Sequence, residues 1–351
     1  MLRFRYIVLI IFITLLILHL ILGIVWKITR KDILNIYFKK IFTFILPITI
    51  ILCCIFVCSA ILAKKEYGPN MDEQIKQQFR AIDDKQYDTI ILGNSRLYRG
   101  INPELLNSNC YNFAFDNDSF LECYYKIKYL EKIDKLPKCI ILGVDYFEFS
   151  FVSAGMQATY DLYFDKEYDN VIANCQSLSF DTKSNFDKKI NKLINNFCIM
   201  NYYNATSYLF NRFILKDKRV SYVSEYGQYK IYPQPKATLG DYLTRSSLIM
   251  NEQKEAYLKI FELAEQNNIT IVQVMLPTRD IELNCYTVEE KNQLDQLFNS
   301  QNKSIYMNFS QLEDFNINYF MDDTHLNLKG ADKFSSILNE KLINNKLFVE
   351  R

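Results

Sequence analysis

The sequence has little histidine and no excess of charge of either sign. Its 351 residues include two histidines, and 41 Lys and Arg residues against 40 Asp and Glu residues give a net charge of +1. A chain without a basic excess gives no reason to expect nucleic acid as a partner. The sequence also lacks a glycine-rich phosphate cradle such as GxGxxG or GxxxxGK after a predicted strand. We therefore expect no nucleotide or flavin cofactor.

The nine cysteines lack the spacing of metal sites and of disulfide frameworks. No CxxC pair occurs, and several of the cysteines lie in apolar runs. A free thiol in such a run packs as a small hydrophobic side chain. Three of the cysteines, Cys53, Cys54 and Cys58, lie in a long apolar run near the N-terminus. We expect the other six to belong to the core, with no metal site and no disulfide framework: Cys110, Cys123, Cys139, Cys175, Cys198 and Cys285.

Two long runs near the N-terminus contain no Asp, Glu, Lys or Arg, at 6–26 and 41–63. A helix needs about 20 apolar residues to cross the bilayer core, and both runs are long enough. The alternatives are a buried core helix or a signal peptide, whose apolar region is usually about 7–15 residues long. We expect residues 1–66 to form an anchor of two transmembrane helices, with the lipid bilayer as partner and a multi-pass location in the cell membrane.

The basic residues near these runs give a slight preference for one orientation. They are marginally more numerous in the connector than on the opposite flanks: Lys27, Arg30, Lys31, Lys39 and Lys40 against Arg3, Arg5, Lys64 and Lys65. Since cytoplasmic loops are richer in Lys and Arg, the connector is predicted to be cytoplasmic and the large C-terminal domain extracytoplasmic.

Residues 67–351 show strand and helix patterns in alternation. Short apolar runs predict strands at 87–92, 110–115, 138–144, 269–276 and 304–309, and helical spacing predicts helices at 119–133, 248–266, 288–298 and 331–343. This alternation predicts an α/β domain with a parallel sheet covered on both faces. Such sheets bind ligands beyond the carboxyl ends of their strands.

An aromatic-rich stretch at about 149–245 interrupts this alternation, and we interpret it as an insertion. It is predicted to be partly helical around 186–197. Its aromatic residues can form a wall that contacts sugar or lipid, or they can pack in the core; the set considered is Tyr202, Tyr203, Tyr208 and Phe210.

A serine follows the first predicted strand directly, in the sequence Gly93-Asn94-Ser95-Arg96. Gly93 permits a tight turn, and the chain after it can offer backbone N–H groups to a developing oxyanion. A glycine, a small polar residue and a serine are also common in ordinary loops between strand and helix. By itself the motif is therefore weak evidence for a nucleophile.

A carboxylate and an imidazole lie three residues apart before the last predicted helix, at Asp322 and His325. The other histidine, His19, lies in the first apolar run. In such a turn Asp322 can accept a hydrogen bond from one ring nitrogen and leave the other free to take a proton from a serine. The alternative is that Asp322 or Asp323 caps the last helix and His325 is a surface residue.

Together the two motifs resemble the two ends of the SGNH (GDSL-like) hydrolase pattern. Within that superfamily the chain is similar to the membrane-attached branch that transfers acyl groups in the cell envelope, which includes DltD-like and alginate O-acetylation-like proteins. The resemblance covers residues of roughly 85–150 and 248–345. It implies a flavodoxin-like three-layer α/β/α domain with Ser95 as nucleophile, His325 as general base and Asp322 as its orienting partner.

The sequence departs from this pattern at the positions that supply the oxyanion hole. Asn94 stands where the family most often has Asp, and the second block, at 113–118, has no glycine, so that Asn117 is a candidate replacement donor. Asp145 stands where the third block has an asparagine, and an ionised carboxylate cannot donate. It can bind substrate, position Arg96, or simply end the strand.

Two arginines flank the candidate nucleophile, Arg96 and Arg99. Guanidinium groups pair well with phosphate, so either can meet an anionic substrate. The alternative is a solvated surface arginine, which we favour for Arg99.

The resemblance implies a membrane-anchored serine esterase or O-acyltransferase that forms an acyl-enzyme. Its substrates would be an acyl donor and an envelope polysaccharide or teichoic-acid-like polymer, with a multi-span membrane O-acyltransferase as a candidate partner. The irregular second and third blocks leave an alternative open: a non-catalytic membrane-anchored scaffold or polymer-binding protein that retains the fold.

Overall fold

The computed structural model describes residues 71–151, 160–178, 220–232, 234, 237–240 and 243–349, with six isolated positions before residue 71. Apart from isolated positions, the predicted transmembrane segments lie outside the described residues. So do the predicted helix at 186–197 and the four insertion aromatics named above. Among the helices in the described ranges, none is both long and apolar enough to cross a membrane.

The centre of the molecule is a parallel sheet of five strands. The strands are β1 (Thr89–Leu92), β2 (Cys110–Asn112), β3 (Cys139–Gly143), β6 (Thr270–Met275) and β7 (Ser304–Asn308), with a separate antiparallel pair β4 (Val220–Val223) and β5 (Tyr229–Tyr232). The order in the sheet is β2-β1-β3-β6-β7, and each neighbouring pair is parallel. This is the strand order of flavodoxin-like doubly wound sheets.

The strands form where the sequence is continuously apolar. All residues of β1 and β3 are buried, as expected for parallel strands with both faces covered. β7 lies at one edge of the sheet, and its residues are only partly buried or exposed. The core therefore lies on both sides of the central strands.

Helices flank the sheet. They are α1 (Met71–Asp84), α2 (Ser95–Gly100), α3 (Phe120–Lys132), α4 (Lys166–Leu178), α5 (Asn251–Gln266), α6 (Asp280–Leu283), α7 (Val288–Asn299) and α8 (Leu328–Asn344). α3 packs against α5, and α8 packs against α2. Capping boxes, Ser119 with Glu122 and Thr287 with Glu290, fix the starts of α3 and α7.

The predicted strands and helices of the sheet domain are all present, with bounds that differ by one to three residues. The helix α1 and the short helices α2 and α6 are additional. The last helix begins at Leu328, before Gly330, instead of after it. The α/β class and the parallel sheet are confirmed.

The described parts of the insertion are α4, the β4–β5 hairpin and short connecting segments. Tyr160 and Tyr168 are wholly buried. Tyr163 stacks on Phe79 of α1 with ring centroids 3.7 Å apart. For these aromatic residues, core packing is the role that the structure shows.

The chain leaves β1 towards β2 on one side and continues from β3 towards β6 on the other. The carboxyl ends of β1 and β3 therefore mark the point where the winding direction reverses, which is where doubly wound sheets bind ligands. Asn94 and Ser95 follow β1 at this point, and Asp145 follows β3.

Candidate active site

Ser95, His325 and Asp322 form a continuous chain of hydrogen bonds at this end of the sheet. His325 Nε2 lies 2.7 Å from Ser95 Oγ. His325 Nδ1 lies 2.9 Å from both carboxylate oxygens of Asp322. Since an ionised carboxylate can only accept a hydrogen bond, Nδ1–H donates to Asp322, and Nε2 of the neutral ring is left to accept from the serine hydroxyl. The structure brings together all three residues that the sequence predicts for the triad.

Gly93 and Asn94 shape the turn that presents Ser95. Gly93 has a φ of 146°, and a Cβ there would lie 3.3 Å from Gly143 Cα, so the glycine permits both the conformation and the close approach of β3. Asn94 is the N-cap of α2, because its Oδ1 accepts from Arg96 N–H at 2.8 Å. Ser95 is thus the first residue of a helix, where its N–H has no intrahelical acceptor.

Asp322 is held by its own turn as well as by the imidazole. Its Oδ1 accepts from the backbone N–H groups of Thr324 and His325 at 2.9 and 2.8 Å. Burial acts to raise the pKa of Asp322, but the hydrogen bonds and charge of His325 and these backbone bonds outweigh it and lower the pKa below its usual range. The side chain is 35% exposed and His325 is 20% exposed, so the pair lies at an accessible edge of the sheet.

Asp323 does not cap the last helix, which corrects that expectation. Its carboxylate accepts from Gly240 N–H at 2.9 and 3.0 Å and pairs with Arg279. Asn327 is the N-cap of α8 instead, accepting from Gly330 N–H at 2.9 Å. Asp323 therefore attaches the loop of His325 to the insertion.

Arg96 and Asp145 are buried and pair with each other, and a contact of either residue with substrate stays a prediction. Arg96 is 4% exposed and Asp145 is 2% exposed. The Arg96 guanidinium pairs with Asp145 through NH1 and with Glu282 through NH2. Of the three roles open for Asp145, the structure supports the positioning of Arg96.

Asn117 is exposed and has a left-handed φ of 63°. No hydrogen bond joins its side chain to Ser95, His325 or Asp322, all of which belong to the described part of the chain. Its role as an oxyanion donor stays a prediction.

Arg99 is paired with a carboxylate and is not free. It contacts both oxygens of Asp116, with NH2 2.8 Å from Oδ2, and NH1 donates to Ser95 O at 3.3 Å. Its side chain is 15% exposed. Arg99 thus links the turn at Ser95 to Asp116 and is not a solvated surface residue.

Residues near the site that the sequence analysis did not select are Glu148, Arg245, Arg279 and Glu282. Arg279 and Glu282 follow the end of β6. Because parallel sheets bind ligands beyond the carboxyl ends of their strands, this position is a sequence signal for both residues. Arg245 lies at the end of the irregular insertion, where periodicity gives no signal. Within the described ranges, no group of three or more His, Cys, Asp or Glu side chains is placed to hold a metal.

Comparisons with known proteins give little to add. No protein family matches the chain, and no curated protein matches it. Among solved structures, it is similar to an acetyl xylan esterase from the rumen bacterium Butyrivibrio proteoclasticus, with 9% sequence identity and a TM-score of 0.27. The match covers 74% of this chain and 64% of that chain, less than two thirds of the esterase. A likeness at this level establishes neither family nor activity.

Proposed function

We propose that this protein is a serine esterase or O-acyltransferase in which Ser95 is the nucleophile, His325 the general base and Asp322 the residue that orients the imidazole. The observation that carries the proposal is the 2.7 Å contact between Ser95 Oγ and His325 Nε2, with Asp322 on the other ring nitrogen at 2.9 Å. A hydroxyl held by a base that is itself oriented by a carboxylate is the arrangement required for an activated serine.

In the first half of the proposed reaction, Ser95 Oγ attacks the carbonyl carbon of an ester and its proton passes to His325 Nε2. The bond to the leaving alcohol then breaks, and the alcohol takes this proton as it departs. The acyl group remains on Ser95 as an ester. Asp322, ionised because its pKa is lowered, stabilises the imidazolium that exists between the two proton transfers.

In the second half, an incoming hydroxyl gives its proton to His325 Nε2 while its oxygen attacks the acyl carbon. Ser95 then recovers the proton and is released. Water as the incoming group makes the protein an esterase, and a sugar hydroxyl makes it a transferase. As oxyanion donor we propose the Ser95 N–H, which has no acceptor within its own helix.

The proposed substrate carries an uncharged acyl ester at the reacting end. Two arginines close to Ser95 in the chain and one that contacts the neighbour of Asp322 are each paired with a carboxylate: Arg96 with Asp145 and Glu282, Arg99 with Asp116, and Arg279 with Asp323. These pairs disfavour a phosphate group beside Ser95, because each guanidinium would first have to leave its partner.

The larger setting follows from the resemblance noted in the sequence. We propose a membrane-anchored protein with an extracytoplasmic domain acting on an envelope polysaccharide or teichoic-acid-like polymer. In this proposal a multi-span membrane O-acyltransferase is the partner that supplies acyl groups. The uncharged runs at 6–26 and 41–63 support the anchor.

The proposal is tested by following acetate release from p-nitrophenyl acetate and from an O-acetylated polysaccharide, with and without an added acceptor sugar. Ser95→Ala should abolish release, and the control Ser336→Ala, which removes a hydroxyl from the exposed face of α8, should retain it. Release that survives Ser95→Ala would contradict the proposal. Acyl product on the sugar, in place of free acetate, would identify a transferase.

A second candidate function is a scaffold or polymer-binding protein without catalysis. It is favoured by Asp145, because its buried carboxylate pairs with Arg96 and offers no donor to an oxyanion at Ser95. This candidate predicts that the full protein binds an envelope polysaccharide with the same affinity before and after Ser95→Ala, while neither form releases acetate.

A further inference from the structure

We propose that Asn94 and Arg96, the residues on either side of Ser95, hold the nucleophile in position through a buried cluster of carboxylates. The inference rests on the proposed function of Ser95 and names the residues that act on it through the turn.

Arg96 follows β1, and its side chain contacts the segments that follow β3 and β6. NH1 contacts Asp145 after β3 and reaches Thr278 Oγ1, after β6, at 3.3 Å, while NH2 contacts Glu282 on α6. The side chains of Arg96, Asp145 and Glu282 are only 4%, 3% and 2% exposed. Because the guanidinium donates in a fixed planar fork, these contacts fix the direction of the chain at residue 96. The neighbouring Ser95 is fixed with it.

Asn94 joins the same cluster from the other side of Ser95. Its Oδ1 accepts from Arg96 N–H at 2.8 Å, while its Nδ2 donates to Glu148 Oε2 at 2.6 Å and to Asp145 Oδ2 at 3.3 Å. An amide can accept and donate at once, whereas an ionised aspartate can only accept. An aspartate at this position would face Asp145 and Glu148 without a donor between them.

The charges of the cluster support a built arrangement. Arg245 Nε contacts Glu282 Oε1 at 3.2 Å, so two guanidinium groups lie among three carboxyl groups. Burial, and after it the charge of Asp145, raises the pKa of Glu148 well above its usual range. Since Arg245 lies at the end of the insertion, the cluster also links the insertion to the nucleophile turn.

The test measures how fast a fluorophosphonate probe labels Ser95, with the limiting rate at saturating probe separated from the half-saturating concentration. Asn94→Asp and Glu282→Gln should lower the limiting rate by about 10- to 100-fold, the usual effect of misplacing a reacting group. The half-saturating concentration should change little, because neither residue contacts the probe. Asn94→Ser, which can still cap α2 but cannot reach Glu148, is the milder variant should Asn94→Asp not fold.

Two controls distinguish positioning from general stability. Leu130→Ala opens a cavity in α3 at a buried residue outside the cluster; it should lower the melting temperature but leave the limiting rate unchanged. A double-mutant cycle pairs Asn94→Asp with Asp145→Asn. Asn94→Asp alone places a carboxylate beside that of Asp145, and Asp145→Asn replaces the second carboxylate of this pair by an amide. Since the two side chains touch, the rate loss of the double variant should be smaller than the product of the single losses.

The outcomes separate this inference from the function on which it rests. A folded wild-type protein that takes no probe would overturn the proposed function and this inference with it. Labelling of the wild type, with Asn94→Asp, Asn94→Ser and Glu282→Gln labelled at the same limiting rate, would overturn only the inference. So would a limiting rate that falls equally in Leu130→Ala at a matched loss of melting temperature.

Discussion

At the scale of single residues, the site depends on a contact between side chains 230 positions apart, Ser95 and His325. Local sequence predicts the nature of each group, because a serine after a strand and a carboxylate three residues before a histidine are both visible in the chain. Their meeting cannot be read from local sequence. It requires the order of strands in the sheet and the packing of α8 against α2.

Replacement of the orienting carboxylate should slow the chemistry without unfolding the protein. In Asp322→Asn the neutral amide no longer fixes the Nδ1–H tautomer of His325 or stabilises its protonated form, so the rate should fall by about 10²- to 10⁴-fold. Hydrolysis of p-nitrophenyl acetate measures this. A wild-type rate in the folded variant would exclude Asp322 from the mechanism.

The same carboxylate should contribute to stability in a way that depends on pH. The pKa of Asp322 in the folded protein lies below its value in the unfolded chain, about 3.9. Its contribution is therefore present above pH 4 and is lost as the pH falls through the folded pKa. The melting temperature should drop more between pH 7 and pH 3 in the wild type than in Asp322→Asn. Equal drops in the two proteins would contradict this assignment.

The burial of Arg96 and Asp145 could not be predicted from the sequence. Arg96 and Asp145 follow strand ends, as ligand-binding residues do, and their charges are compatible with substrate contacts. Both are almost fully enclosed and pair with each other. A charged residue beside a candidate site can thus face inwards. The sequence does not show this, because Glu282, a partner of Arg96, is distant in sequence.

At the scale of elements, the sequence predicts well wherever burial imposes a pattern. The central strands are continuous apolar runs, and the long helices carry one buried face, so both give clear signals. The sequence predicts the start of α8 too late, because Gly330 is typical of a helix boundary. The glycine lies inside the first turn for a different reason: a Cβ there would lie 2.2 Å from Tyr319 O.

This contact predicts an unusual response to alanine. An alanine at a glycine in a helix normally adds up to about 1 kcal/mol of stability, but Gly330→Ala should lower the free energy of unfolding by about 1–3 kcal/mol, because backbone must shift to admit the methyl group. Chemical denaturation measures the change. Ser336→Ala on the exposed side of the same helix is the control and should be neutral or slightly stabilising. A stabilised Gly330→Ala protein would show that Tyr319 does not pack as described.

The insertion is the element for which sequence reasoning fails most. Its irregular segments show no periodicity, yet they contact both sides of the site. Asn112 N–H donates to Tyr226 O at 2.8 Å, and Thr238 N–H donates to Met321 O at 3.1 Å. Such backbone hydrogen bonds depend on no particular side chain, so the residue pattern does not predict them.

At the scale of the whole molecule, the α/β class follows from the alternation of strands and helices in the sequence. The order of the parallel strands is seen only in the structure. The sheet brings the ends of β1, β3 and β6 together, so that the residues after them share one buried cluster. The position of the insertion over this edge could not be foreseen. It places Arg245 in contact with Glu282, and Gly240 in contact with Asp323 beside Asp322.

The uncharged runs at 6–26 and 41–63 predict that the full chain fractionates with membranes. It should stay in the pellet after alkaline carbonate extraction and be released by detergent. External protease on intact cells should degrade the C-terminal domain if the connector is cytoplasmic. Recovery in the carbonate supernatant would contradict the anchor, and protection from protease in intact cells, with cleavage after lysis, would reverse the orientation.

The most direct test of the central claim is labelling of the full protein with a fluorophosphonate, followed by mass spectrometry to map the modified residue. Only a serine whose proton is accepted by a nearby base should react quickly. We predict modification at Ser95, abolished in Ser95→Ala and reduced to background in His325→Ala. A folded protein that remains unlabelled, or one labelled at a different residue, would contradict the assignment of Ser95 and His325 as nucleophile and base.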